Sequence, residues 1–182
     1  ADISVTVPQT VALCAAKRAG IAVPQATIDR AVAYIKRCEV DDTGGFAYQA
    51  HGGGPGFART AAAIYALQIT GLYDDPMVAK GSDFVMKSIA ESRFPGWQVE
   101  WLTYGNYYAG VAHYLIGGEK WKTYYQDFGQ QYLLPKVTTV GEMSHWAESI
   151  DPKAKGIGAN WCTAVFTTIL SLPYGYLPLY QR

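Results

Sequence analysis

The feature that most restricts the fold is a segment of small residues that recurs along the chain. Residues 10–16, 60–67, 107–115 and 163–170 align, and each is rich in Ala, Gly, Thr or Cys. Each anchor residue (Thr10, Thr60, Tyr107, Thr163) stands ten or eleven residues before a helix stop: Gly20, Gly71, Gly117 and Pro173. The anchors recur about every 50 residues, a period in the range of helical repeats. A chain repeating in this way builds its core by stacking similar units, because helices of such length are marginal alone in water.

A second kind of helix follows three of these stops. Residues 24–38 open with a proline suited to a first turn and carry Ile28, Ala31, Val32 and Ile35 on one helical face. The pair Asp75-Pro76 reads as a cap followed by Pro at the first helical position, with Val78, Gly81, Val85 and Ile89 as the buried stripe. Residues 119–133 repeat the spacing with Trp121, Tyr124, Tyr125, Phe128 and Tyr132. In the first helix, Thr6 and Gln9 fit a capping box. The fold expected is all-α: helical hairpins side by side, small-residue helices inside, and charged amphipathic helices bearing Lys36, Arg37, Lys80 and Lys87 outside. No pair of segments alternates as strands do. The connecting loops 39–56, 92–102 and 135–158 are long, which points to loops that carry function or their own packing.

The 182 residues read as one domain, whole or a piece of a longer protein, with 49% hydrophobic residues to fill a core. Fifteen basic residues balance fifteen acidic ones, so no overall field draws in nucleic acid or an anionic membrane. No apolar run is long enough to span a bilayer and no signal segment opens the sequence, so a soluble protein is expected, its compartment open. Cys14, Cys38 and Cys162 are odd in number and far apart. They read as buried free thiols, with neither a disulfide framework nor a zinc site.

The sequence resembles a known superfamily at specific points. Asp42-Thr43-Gly44-Gly45-Phe46 resembles the Gly-Gly-Phe turn of prenyltransferase and squalene-oxidase repeats. Gly52-Gly53-Gly54-Pro55-Gly56, leading to Arg59 and Thr60, is similar to the loop and inner helix of protein prenyltransferase β subunits. Tyr104 to Ala109, then Gly117 to Trp121, resemble uncharacterised bacterial proteins with the same repeats, as does the ending 176–182. The resemblance implies the α/α toroid of terpenoid cyclases, with inner helices around a funnel. Seven helices are fewer than a closed ring uses, so an incomplete ring is implied.

The chemistry of those enzymes is only partly present. The prenyltransferase zinc site needs an Asp two residues before a Cys and a later His; no cysteine here has that Asp, and His51, His113 and His145 are isolated. The bland readings are a loop histidine, a helical histidine among aromatics and a solvent-facing one. No metal and no cofactor is therefore expected. The acid motif of class II cyclases has its nearest counterpart in Glu39-Val40-Asp41-Asp42, which lacks the first aspartate and leads into a turn. A solvated acid cluster explains it. No nucleophile elbow, phosphate loop or dinucleotide fingerprint occurs.

The candidate ligand-binding residues are Arg59, Tyr65, Tyr104, Asn106, Tyr107, Tyr108 and Trp161. Arg59 stands near the start of an inner helix, where it could hold a phosphate or carboxylate or instead pair with Asp42. The tyrosines and Trp161 either line a cavity, where they would attract cations, or fill the space between helical layers. Asn106 and Asn160 stand at helix starts, where capping is the plain alternative. Three functions fit. The first is an accessory repeat domain that binds a partner, a peptide or an apolar ligand, with a protein partner or homo-oligomer as the assembly. The second is an enzyme acting on an isoprenoid, and the third a sugar-active lyase.

Overall fold

The computed structural model describes residues 1–92 and 101–176. Most of loop 92–102 and the ending 177–182, on which part of the resemblance rested, lie outside the described residues. The described chain is helical in architecture: α1 (Ile3–Arg18), α2 (Gln25–Arg37), α3 (Phe57–Ile69), α4 (Pro76–Ser92), α5 (Leu102–Ile116), α6 (Gly118–Tyr124) and α7 (Ala159–Ser171). Helix α6 continues as a wider-turned π-helical stretch, Tyr125–Leu133.

The odd-numbered helices pack in succession, α1 on α3, α3 on α5 and α5 on α7, while α2 packs on α1, α4 on α3 and α6 on α5. This produces the expected two layers. The division follows side-chain chemistry. Helix α3 is buried on every side, with only Arg59 short of full burial, and α5 buries eleven of its fifteen residues. Alanines 61, 62, 63 and 66 of α3 present so little bulk that neighbours approach from several directions at once. Gly81 of α4 takes this furthest: a Cβ there would stand 2.4 Å from Cγ2 of Ile64.

The outer helices keep charged faces in water and are tied along the layer by ion pairs. Lys36 of α2 reaches Asp75, which caps α4 through the Met77 amide at 2.9 Å, and Lys120 of α6 reaches Asp83 of α4 at 2.6 Å. Exposure limits such pairs to about 0.2–1 kcal/mol each. Behind α5, the aromatic stripe of α6 and its continuation forms a ladder. Tyr124 stacks on His113, and Phe128 meets both Tyr124 and Phe166 of α7.

Several local expectations are corrected. Helix α1 begins at Ile3, capped by Asp2, whose carboxylate accepts from the Val5 amide at 3.0 Å. Thr6 is already helical, its hydroxyl turned back to the Asp2 carbonyl, so the Thr6–Gln9 capping box does not form. Pro24 is the cap residue of α2 and not its first helical residue. A short hairpin, β1 (Thr138–Val140) with β2 (Met143–His145), turns at Gly141 and Glu142 inside the last long loop. Its strands face solvent almost throughout, so the apolar alternation that would announce strands is missing from the sequence. His145 is half-buried rather than solvent-facing.

The four repeat anchors are equivalent only in part. Thr60 Oγ1 accepts the Phe46 amide at 2.9 Å, and Thr163 Oγ1 accepts the Trp146 amide at 3.1 Å. In both, an inner-helix threonine latches an aromatic residue of the preceding loop into the core. Thr10 is buried but donates to Thr6 of its own helix, and Tyr107 packs against Tyr108. A threonine hydroxyl bound to its own helix satisfies nothing that would otherwise be orphaned. Replacing Thr60 with Val therefore leaves the Phe46 amide unpaired and should cost about 1–3 kcal/mol, against less than about 1 kcal/mol for Thr10→Val. Urea unfolding of both variants checks this; equal losses would remove the latch as an explanation.

Candidate ligand-binding site

Because each inner helix is followed by an outer one that returns the chain, the starts of α1, α3 and α5 come to one end of the stack. Between them lies a cavity of about 430 Å³. Helix α1 contributes Ser4, α3 its cap Gly56 and its first turn Phe57, Ala58 and Arg59, and the start of α5 Trp101 and Tyr104. Tyr48 closes one side from the Gly-rich loop, whose backbone is tied to α1 by the Ile3 amide on the Tyr48 carbonyl at 3.0 Å.

Two features of this end require the fold to hold them. Trp101, the cap residue of α5, has φ +59°, a left-handed conformation that bulky residues seldom adopt. Beneath it, buried Asp151 accepts the Thr103 amide at 2.8 Å and the Lys153 amide at 2.9 Å. Asp151 thus supplies from a distant loop the cap that α5 lacks in its own sequence. Lys153 lies 5.6 Å over the Trp101 ring, which places the indole at the rim.

Arg59 is the unusual member. No ion pair engages it among the described residues, so the alternative pairing with Asp42 is not formed. Its Nε is shut away from water and has no hydrogen-bond partner. Gly56 gives the guanidinium its room, since a Cβ there would stand 2.5 Å from Nε. The first turn of α3 receives no side-chain cap, so its orphan amides add positive potential at the same place.

The structure gathers three of the candidate residues around the ring of a fourth. Tyr108 lies 5.0 Å from Tyr104, 5.0 Å from Tyr107 and 5.7 Å from Tyr65. Of these Tyr104 reaches the cavity, while Tyr65 and Tyr108 are buried behind it, and burial pushes the hydroxyls of all three above the usual phenol range. Asn106 is no cap: it lies within α5, donates to the Leu102 carbonyl at 2.8 Å and accepts from the Tyr124 hydroxyl. Asn160 is likewise inside α7, whose cap residue is Gly158. Trp161 is half-buried on α7 and is not among the residues lining this cavity. Sequence reasoning missed Ser4, Tyr48, Phe57, Ala58 and Trp101. The usable signal was bulk beside a helix start, in Trp101 and Phe57.

A Ser–His pair also went unforeseen. The His113 ring donates from Nδ1 to the Ala109 carbonyl at 2.7 Å, which leaves Nε2 to accept from the Ser82 hydroxyl at 3.2 Å. These are the atoms of a base and a nucleophile, but both residues are fully buried and no substrate carbon can reach the hydroxyl. The pair joins α4 to α5. Cys14, Cys38 and Cys162 are buried free thiols held above the usual thiol range by that burial, so little thiolate is present. Among the described residues no three His, Cys, Asp or Glu gather as metal ligands, and no helix is long and apolar enough to cross a membrane.

Burial lowers the His113 pKa to about 4, while the unfolded chain binds its proton near 6.5. Between those values the unfolded state holds more protons, so stability is complete above about pH 6.5 and declines as pH falls towards 4. The slope approaches about 1.4 kcal/mol per pH unit in that window. Thermal melts from pH 7 to 4.5, with an NMR titration of the ring, check it; a His113 that titrates near 6.5 in the folded protein contradicts the assignment.

Against known proteins, no family model, no curated sequence and no solved structure matches the chain, so the functional reading rests on the site itself.

Proposed function

We propose that this is a binding domain, an α/α-toroid-like stack forming part of a ring, which holds an apolar ligand in the cavity at the starts of its inner helices. The observation that carries the reading is the cavity: about 430 Å³, within the size range of small-molecule sites, with aromatic faces and a few polar groups in its walls. The alternation of inner and outer helices and the Gly44-Gly45-Phe46 turn support the toroid-like arrangement. The lining offers an arginine, tyrosines, a serine and apolar surface, groups that bind and orient. An enzyme would need an activated acid, base or nucleophile in contact with the ligand; the Ser–His pair lies sealed in the core, and burial holds the Tyr104 hydroxyl of the lining above the usual phenol range.

N-phenyl-1-naphthylamine, a neutral apolar fluorophore, tests the reading. The protein should enhance its emission with saturable, micromolar affinity, and Ser4→Phe, which fills the cavity from its α1 wall, should weaken that binding tenfold or more while far-UV circular dichroism stays unchanged. Absence of saturable binding, or equal binding by Ser4→Phe, would remove the cavity as the functional site.

A further inference from the structure

Resting on that reading, we infer that the ligand is a monocarboxylate with an apolar body, its carboxylate on Arg59 and its body against Phe57 and Tyr104. Among the described residues that line the cavity, Arg59 alone carries a formal charge. The guanidinium is partly desolvated, its Nε finds no acceptor, and no acid is paired with it among the described residues. Asp2, the carboxylate two residues from the lining Ser4, is occupied by the Ser4 hydroxyl at 2.6 Å and the Val5 amide. A cation taken out of water without a counter-charge is destabilising, and an anion in the cavity relieves it.

Charge balance then selects the anion. One guanidinium neutralises one carboxylate, and its planar fork matches the two carboxylate oxygens. The uncapped first turn of α3 adds only partial charge. A phosphate monoester brings about two negative charges and a diphosphate more, so either leaves charge uncompensated beside the apolar walls. The cavity therefore fits a carboxylate better than the diphosphates that isoprenoid chemistry uses. Neutral alcohols of the same length would satisfy the walls and leave Arg59 as it is.

Isothermal titration of the full chain with decanoate, 1-decanol and geranyl diphosphate decides the matter. Decanoate should bind at least roughly tenfold more tightly than 1-decanol, and geranyl diphosphate more weakly than decanoate. In Arg59→Gln the preference for decanoate over the alcohol should vanish, and Arg59→Lys should keep part of it. Equal binding of acid and alcohol by the unaltered protein overturns the carboxylate assignment and leaves the cavity reading standing. Tighter binding of the diphosphate overturns the monoanion class. If none of the three binds, the cavity reading falls and this inference with it. The comparison among ligands needs only the unaltered chain, so a variant that failed to fold would not decide it.

Discussion

The run of alanines in α3 is the constraint on which the other elements depend. With Ala61, Ala62, Ala63 and Ala66 fully buried, α1, α4 and α5 all pack against one helix, and none of them need be pushed away by a long side chain. Apolar burial at about 25 cal/mol per Å² rewards each approach. A larger residue at any of these positions would push the neighbouring helices apart, much as a Cβ on Gly81 would run into the Ile64 side chain at 2.4 Å. The polar groups inside this core are few, and several of them join elements. Thr60 holds the first loop, Gln68 reaches across to the Ala112 carbonyl, and Ser82 meets His113.

The cavity is where this close packing gives out. Towards the start of α3 the alanines end at Ala58, and the neighbouring side chains become large: Phe57, Arg59, Trp101 and Tyr104. Large side chains fill a shared end only if their shapes agree, and here two of the anchoring features are strained or borrowed. Trp101 sits at positive φ, and the cap of α5 comes from Asp151 in a loop far along the chain. Strain of this kind persists only where surrounding structure holds it, and it collects at functional sites more than elsewhere. The same loop that caps α5 also places Lys153 on the Trp101 ring, so the rim and the helix start are fixed together.

How much of this was legible in the sequence depends on whether the signal was periodic. The inner and outer helices could be read because small residues, apolar stripes and Gly or Pro stops recur along the chain, and the Asp75-Pro76 start was explicit. The helix caps were less legible: Gly158 acts through backbone geometry, Asp151 acts across distant segments, and Asp2 caps α1 ahead of Thr6, while Thr6, Asn106 and Asn160 only have the composition of caps. The hairpin at Thr138–His145 was missed since it has little core contact to impose alternation. At the site, Arg59 and Tyr104 were found from their place at inner-helix starts. Tyr48 and Ser4 were not, because a loop residue and a first-turn serine carry no period and reach the cavity only through tertiary packing. The loop latch had a signal that could have been used: Phe46 and Trp146 are aromatics that precede the anchors Thr60 and Thr163 by similar intervals, 14 and 17 residues.

The contrast between the Ser82–His113 pair and Arg59 shows why residue type alone does not assign function. A serine beside a histidine has the composition of a catalytic dyad, yet with the histidine ring stacked on Tyr124 at 5.3 Å and held neutral by burial, the pair is complete within the fold and has no access to a substrate. Every hydrogen-bonding atom of that ring has its partner. Arg59 has the composition of an ordinary surface residue, yet it is incomplete: a charge at the wall of a cavity, with a buried donor and no acid paired with it among the described residues. Folding energy accounts for the first arrangement and opposes the second. A group that folding leaves unsatisfied, next to space that folding leaves unfilled, is better explained by something that enters from outside than by the chain itself.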